Sequence, residues 1–202
     1  MPAELTPTRP SLLLRVRDPR DAAAWGQFVD LYTPLVFGFC TRRGLQSADA
    51  ADVAQDVLRA VAAAIGRFDY DPTKGAFRDW LFAVTRSKLS AHVGRSRRHP
   101  RGSGDTGVQA LLEAQPDDAA DDAAEWTTAW QRQLFDYAAA QVKAEFQPGT
   151  WRAFWATAVE GRSAADVGAE LGMTAGAVYI ARSRVLKRVR QVVEEIDDRA
   201  EP

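Results

Sequence analysis

Apolar side chains recur at three- and four-residue steps through almost the whole chain, and nowhere do they alternate with polar ones over the length of a strand. That spacing is the period of one face of an α-helix; a half-buried strand repeats every second residue. The pattern predicts an all-α fold. Trp25, Phe28, Val29, Tyr32, Val36 and Phe39 mark a first long helix from about Arg20, which Pro34 should kink or divide because it lacks the N–H and its ring meets the preceding turn. Ser47 is expected to cap a second helix bearing Val53, Val57, Val61 and Ile65 and ending at Gly66. A third starts near Phe77 and carries Phe77, Leu81, Val84, the stem of Lys88 and Ala91 along one side, with Trp80 and Phe82 beside it. Helical spacing resumes with Trp126, Trp130, Leu134, Ala138, Val142 and Phe146, then with Trp151, Phe154, Trp155 and Ala158 after a cap at Thr150.

The one long interruption runs from Arg97 to about Asp122, and charge is segregated around it. Residues 80–104 hold six Lys/Arg and no Asp/Glu; residues 105–125 hold seven Asp/Glu and no Lys/Arg. The near-neutral total, a formal charge of −1, conceals this division into a basic working surface and an acidic tether. The turn-rich and acidic stretch offers little apolar surface to offset the entropy of ordering it, so it reads as a flexible linker. A chain of 202 residues then divides into two small helical domains: a tail at 1–19, a first domain at 20–98, a linker at 99–125, a second domain at 126–196 and a tail at 197–202.

Within the second domain, Ser163 to Arg190 reads SAADVGAELGMTAGAVYIARSRVLKRVR. Ser163 and Asp166 form a capping-box-like start, with Asp in place of the usual Glu or Gln. Gly168 is small where two helices would cross, Gly172 can take a positive-φ turn, and Val178 can anchor the second helix on the first. These offsets match a helix-turn-helix, with Thr174 able to cap its second helix. Val178, Ala181, Val185, Val189, Val192 and Ile196 form the stripe to be buried, while Tyr179, Arg182, Ser183, Lys187 and Arg190 lie away from it. Short side chains at the helix start would let that end enter a major groove. An ordinary helical hairpin with a solvated basic face fits the same stretch.

Enzymatic chemistry finds no footing: there is no phosphate-cradling Gly loop, no nucleophile elbow and no Cys/His metal spacing. His92 and His99 sit in the basic segment and read as phosphate neighbours or solvated side chains. No catalytic residue, metal or cofactor is expected. The single Cys40 excludes an internal disulfide and fits a reducing cytosol, and no apolar run is long enough to span a bilayer, so a soluble cytoplasmic protein without membrane insertion is expected.

Two further motifs bring in a resemblance. Asp52-Val53-Ala54-Gln55-Asp56-Val57 resembles the D-L-V-Q-E-V segment of bacterial RNA polymerase sigma factors. Phe77-Arg78-Asp79-Trp80-Leu81, with Val84, Thr85 and Arg86, resembles that family's F-x-x-W-L-x-x-I-A-R segment. With a helix-turn-helix following, the order is similar to the small sigma-70-family factors of the extracytoplasmic-function type, over roughly residues 20–98 and 126–193.

The resemblance implies that Asp52, Gln55 and Asp56 dock on the clamp helices of the largest subunit of core RNA polymerase. Taken alone, the same acids suit the positive end of a helix dipole. It implies that the helix of residues 77–98 and the loop before it hold the melted promoter −10 strand, with Arg86, Lys88, Arg95, Arg97 and Arg98 on phosphates and Phe68 and Tyr70 on bases. Trp80 fits either a base contact or the core. Ser87 stands where the family usually has Asn and Ala91 where it often has Asp, so the family's −10 preference does not carry over. The helix-turn-helix would read −35 duplex, with Thr174, Tyr179, Arg182 and Ser183 nearest the bases and Lys187 and Arg190 on phosphates. Implied partners are core polymerase, promoter DNA and, as for many family members, an anti-sigma protein. The competing reading is a homodimeric helix-turn-helix regulator with an N-terminal dimerisation or sensor domain, which would require paired half-sites.

Overall fold

The computed structural model describes residues 12–67, 77–98 and 119–196, and every regular element among them is helical. In chain order these are α1 (Leu12–Arg15), α2 (Ala22–Arg42), α3 (Ser47–Ala64) with a 3₁₀ turn at Ile65–Arg67, α4 (Phe77–Arg98), α5 (Ala119–Val142) with a 3₁₀ turn at Lys143–Glu145, α6 (Pro148–Ala158), α7 (Ala164–Leu171) and α8 (Ala175–Ile196). The chain divides into two compact units, and the division falls inside α5, between Gln133 and Leu134.

The N-terminal unit is built on aromatic packing. Asp21 starts α2 by accepting the Ala24 N–H at 2.9 Å. The Arg15 guanidinium donates to both its oxygens and holds this carboxyl below its ordinary range. Phe28, Leu31, Tyr32, Leu35, Val36 and Phe39 of α2 are buried, as are Val53, Val57 and Val61 of α3 and Phe77, Leu81, Leu89 and Val93 of α4; Phe77 meets Phe28 and Tyr32 edge-on at 5.8 and 5.5 Å. Pro34 does not divide α2, which runs unbroken from Ala22 to Arg42 with the proline exposed.

The first half of α5 completes this core. Trp126, 1% exposed, sits edge-on to Phe39 at 5.3 Å and against Phe82 at 5.4 Å, and its Nε1–H donates to the Arg78 carbonyl at 3.3 Å. One turn later Trp130 stacks on Tyr32, 5.1 Å apart and 8° from parallel. Residues 119–125, expected at the end of a linker, are therefore helical; residues 99–118 lie outside the described ones. Of the acids that made the stretch look like a tether, Asp121 and Asp122 sit in the first turn of α5, where the helix dipole favours negative charge, and Glu125 follows them. Arg42 and Arg43 pair with them: Arg43 with Asp122 and Glu125, Arg42 with Glu125.

In the C-terminal unit Ala138, Val142, Phe154, Val185, Val189 and Val192 form one buried cluster. Ala153, Ala156, Ala164, Val167, Val178 and Ala181 form another, in which alanines let the α6, α7 and α8 backbones approach. Two expected caps are displaced. Gln46, not Ser47, precedes α3, with no side-chain cap bond. Similarly α6 begins at Pro148, two residues before Thr150, because the fixed φ of proline suits a first helical position that has no N–H partner to lose.

Trp126→Ala should destabilise the N-terminal unit by about 3–5 kcal/mol, the cost of emptying a buried aromatic site. Urea unfolding of the full chain followed by circular dichroism measures it; a loss near zero would mean that α5 is not part of this core.

Candidate nucleic-acid interface

The turn between α7 and α8 is constrained at each residue singled out in the sequence. Ser163 precedes α7 and its Oγ accepts the Asp166 N–H at 3.1 Å while lying 2.6 Å from the Asp166 carboxylate. Gly172 ends α7 with φ of 66°, a left-handed conformation that a Cβ penalises. The Met173 N–H returns to the Gly168 carbonyl at 2.8 Å. A Cβ on Gly168 would stand 2.6 Å from the Met173 carbonyl oxygen, so only glycine allows this approach. Thr174 Oγ1 accepts the Ala177 N–H at 3.1 Å and opens α8.

Helix α8 presents two faces. Val178, Ala181, Val185, Val189 and Val192 are buried, and Ile196 is partly so. On the outer side Tyr179, Arg182, Ser183, Leu186, Lys187 and Arg190 line one shallow groove of about 450 Å³. Five of the six residues expected on this surface converge there; Thr174 is exposed at the helix start. Among the described residues Arg182, Lys187 and Arg190 make no ion pair, whereas Arg188 of the same helix donates twice to Glu145, at 2.7 and 3.1 Å. Sequence reasoning missed Leu186, which lines the groove, and the exposed Ile180 and Arg184 beside it. Their signal was the helical register itself, which puts all three off the most deeply buried stripe.

A separate cleft of about 610 Å³ in this unit has Trp151 and Trp155 in its wall, stacked 5.8 Å apart. Arg162 and Arg152 both reach Glu170 beside it, at 2.7 and 3.0 Å. The bond from Arg162 is the main reason the Glu170 carboxyl lies below its ordinary range. Among the described residues no group of His, Cys, Asp and Glu could hold a metal ion.

In the N-terminal unit Asp52 and Gln55 are exposed on α3, and Asp56 beside them is half-exposed. Asp56 is also engaged within the unit, with Arg59 at 3.2 Å and Arg95 at 3.4 Å. The cations of α4 are not gathered on one face. Arg86 lies over the Phe82 ring and 3.9 Å from Asp122 of α5, while Arg95 turns the other way, to Asp56 of α3. Lys88 is half-buried; Arg97 and Arg98 lie in the last turn of α4, their side chains outside the described residues together with the whole of Phe68 and Tyr70. Ser87 and Ala91 are exposed. Trp80 is half-buried against Phe77, 5.4 Å between rings. His92 is not a solvated side chain: it is 14% exposed, with Nε2 3.3 Å from Asp49, and so ties α4 to α3.

Cys40 is fully buried in α2, and burial pushes its thiol up to about 11. Among the described residues no helix is long and apolar enough to cross a membrane.

Comparison with known proteins places one part of the chain. Residues 28–99 match the sigma-70 region 2 family. The ECF RNA polymerase sigma factor RpoE of Cereibacter sphaeroides is 31% identical over 78 residues, a stretch that covers 39% of this chain and 42% of that protein.

Gly168→Ala should cost the C-terminal unit about 1–3 kcal/mol, because the carbonyl it meets is backbone and yields only if the turn shifts. Gly26→Ala, on an open face of α2, should instead gain up to about 1 kcal/mol of helix propensity. Thermal unfolding of the two variants checks the contrast.

Proposed function

We propose, on the premise of region 2 homology to sigma factors of the extracytoplasmic-function type, that this chain is a promoter-specificity subunit that binds core RNA polymerase and directs it to initiate transcription. It performs no catalysis of its own. The N-terminal unit docks on polymerase through the Asp52, Gln55 and Asp56 face of α3 and captures the −10 strand with α4 and the loop before it. The C-terminal unit is a helix-turn-helix that reads −35 duplex through α8.

The observation that carries this reading is the α8 groove. A region 2 match is followed, in the same chain, by a glycine-dependent turn and a helix whose outer groove collects a Tyr, a Ser and three cations that make no ion pair among the described residues. A helix that carries free cations beside hydrogen-bonding side chains suits phosphate gripping together with base reading. Arg188, locked to Glu145, is a structural cation and takes no part in it. Both grips should weaken steeply with salt, since each phosphate contact releases counterions.

Run-off transcription with purified core enzyme on a genomic fragment library tests the whole reading. Added protein should produce start sites that core alone does not use, each with an asymmetric footprint at −35 and −10. Palindromic protection without new transcripts would favour a homodimeric regulator instead. Arg182→Ala should cost about 1–3 kcal/mol on the cognate −35 sequence if it reads a base, and an equal loss on every sequence would reduce it to a phosphate contact. Asp52→Lys should lower polymerase affinity by roughly tenfold or more, about 1.4 kcal/mol, in a pull-down that leaves −35 binding intact. Asp56→Lys should have the smaller direct effect on docking, because Arg59 and Arg95 already share that carboxylate.

A further inference from the structure

Three arginines of the N-terminal unit meet over one edge of its aromatic core. Arg42 and Arg43 end α2, and Arg86 is on α4. Arg43 lies over the Phe39 ring, 3.5 Å from its centre, and donates to the Phe39 carbonyl at 3.4 Å. Arg86 lies over Phe82. No residue of this cluster except Arg86 entered the nucleic-acid surface read from the sequence.

The occupant of the cluster is the first part of α5. Asp122 pairs with Arg43 and approaches Arg86 at 3.9 Å; Glu125 pairs with Arg42 and lies 3.3 Å from Arg43. Among the described residues three guanidinium groups face two carboxylates, a surplus of positive charge even when the cluster is occupied. Arg42, Arg86 and Glu125 remain 41–44% exposed, while Arg43 and Asp122 between them are 13% and 21% exposed. The two outer contacts, Arg42–Glu125 and Arg86–Asp122, involve arginines open to water, contribute little to stability and exchange readily for other anions; a phosphate that replaces Asp122 on Arg43 keeps that guanidinium paired. The anchors of α5, Trp126 and Trp130, come after these acids in the helix. The residues up to Glu125 can therefore fray, as a helix end does, without removing either indole from the core.

We propose that Arg42, Arg43 and Arg86 form a site for the phosphates of single-stranded nucleic acid, and that Asp122 and Glu125 occupy it until such a strand displaces them. The proposal rests on the reading of α4 as a strand-binding helix and adds two residues and an internal competitor to it. Guanidinium forks laid over aromatic rings suit a strand with both charge and bases to stack. The acidic end of α5 then holds down the affinity of the free chain for DNA.

The test is fluorescence anisotropy of a labelled single-stranded decanucleotide with the full chain and with its Asp122→Asn, Glu125→Gln variant. The variant should bind roughly three- to tenfold tighter, which at tenfold per 1.4 kcal/mol is about 0.7–1.4 kcal/mol, the worth of one or two solvent-exposed ion pairs. Its near-ultraviolet Trp spectrum should be unchanged, which shows that α5 is still anchored. In an Arg42→Ala, Arg86→Ala background the same two acid substitutions should produce little gain. Equal affinity of wild type and variant overturns the proposal, and so does an equal gain in both backgrounds, which would be a net-charge effect alone. The strand is also offered with core polymerase present. No capture by any form there overturns the −10 reading itself, whereas capture without coupling to Asp122 and Glu125 overturns only the internal competitor.

Discussion

The N-terminal unit depends on the insertion of Trp126 between Phe39 and Phe82. Burying an indole removes roughly 150–250 Å² from water, about 4–6 kcal/mol at 25 cal/mol/Å² as an upper bound. The Arg42–Glu125 pair beside it, half-open to solvent, adds at most about 1 kcal/mol, and the less exposed Arg43–Asp122 pair gives back much of its attraction in desolvating both groups. Apolar burial therefore holds α5 in place, and the Arg–carboxylate contacts set which residues face each other at its N-terminal end. That division of labour makes a strong anchor and an exchangeable charge contact compatible on one helix. The indole N–H, bonded to the Arg78 carbonyl, removes the penalty that a buried unpaired donor would impose.

Charge in this molecule is sorted by whether a partner is built in. On α8 one arginine is fixed to Glu145, while three cations in the groove make no ion pair among the described residues. On α4 the cations are split between flanks, Arg86 toward α5 and Arg95 toward α3. A basic run in sequence is thus not one basic surface in space. The helical period distributes neighbouring charges around the axis, and carboxylates from two other helices meet them. The same principle moves His92, which the surrounding cations made look like part of an exposed basic segment, into a contact between helices with Asp49.

Much was legible in the residues because it was imposed locally. The three- and four-residue apolar spacing specifies helices wherever it occurs. The α7–α8 turn was readable residue by residue: Ser163 caps, Gly168 permits the close approach, Gly172 takes positive φ and Thr174 opens the next helix. Each of these needs only the neighbouring chain to be explained. The caps at Ser47 and Thr150 were misplaced for the complementary reason. Several residues near a helix start can serve, and the start actually taken depends on what the helix packs against.

The sequence by itself determined the helical class, the buried stripe of α8 and the geometry of its preceding turn, since periodicity and the steric freedom of glycine act within a few residues. Only the tertiary structure decided that residues 119–133 belong to the N-terminal unit, that Arg42 and Arg43 meet the acids of α5, and that the α4 cations face two ways. An acidic, alanine-rich stretch looks like a tether when taken alone, because nothing in it says that arginines roughly eighty positions earlier will pair with Asp122 and Glu125. That outcome rests on two indoles finding an aromatic face assembled from distant helices, a long-range packing event that local composition does not encode.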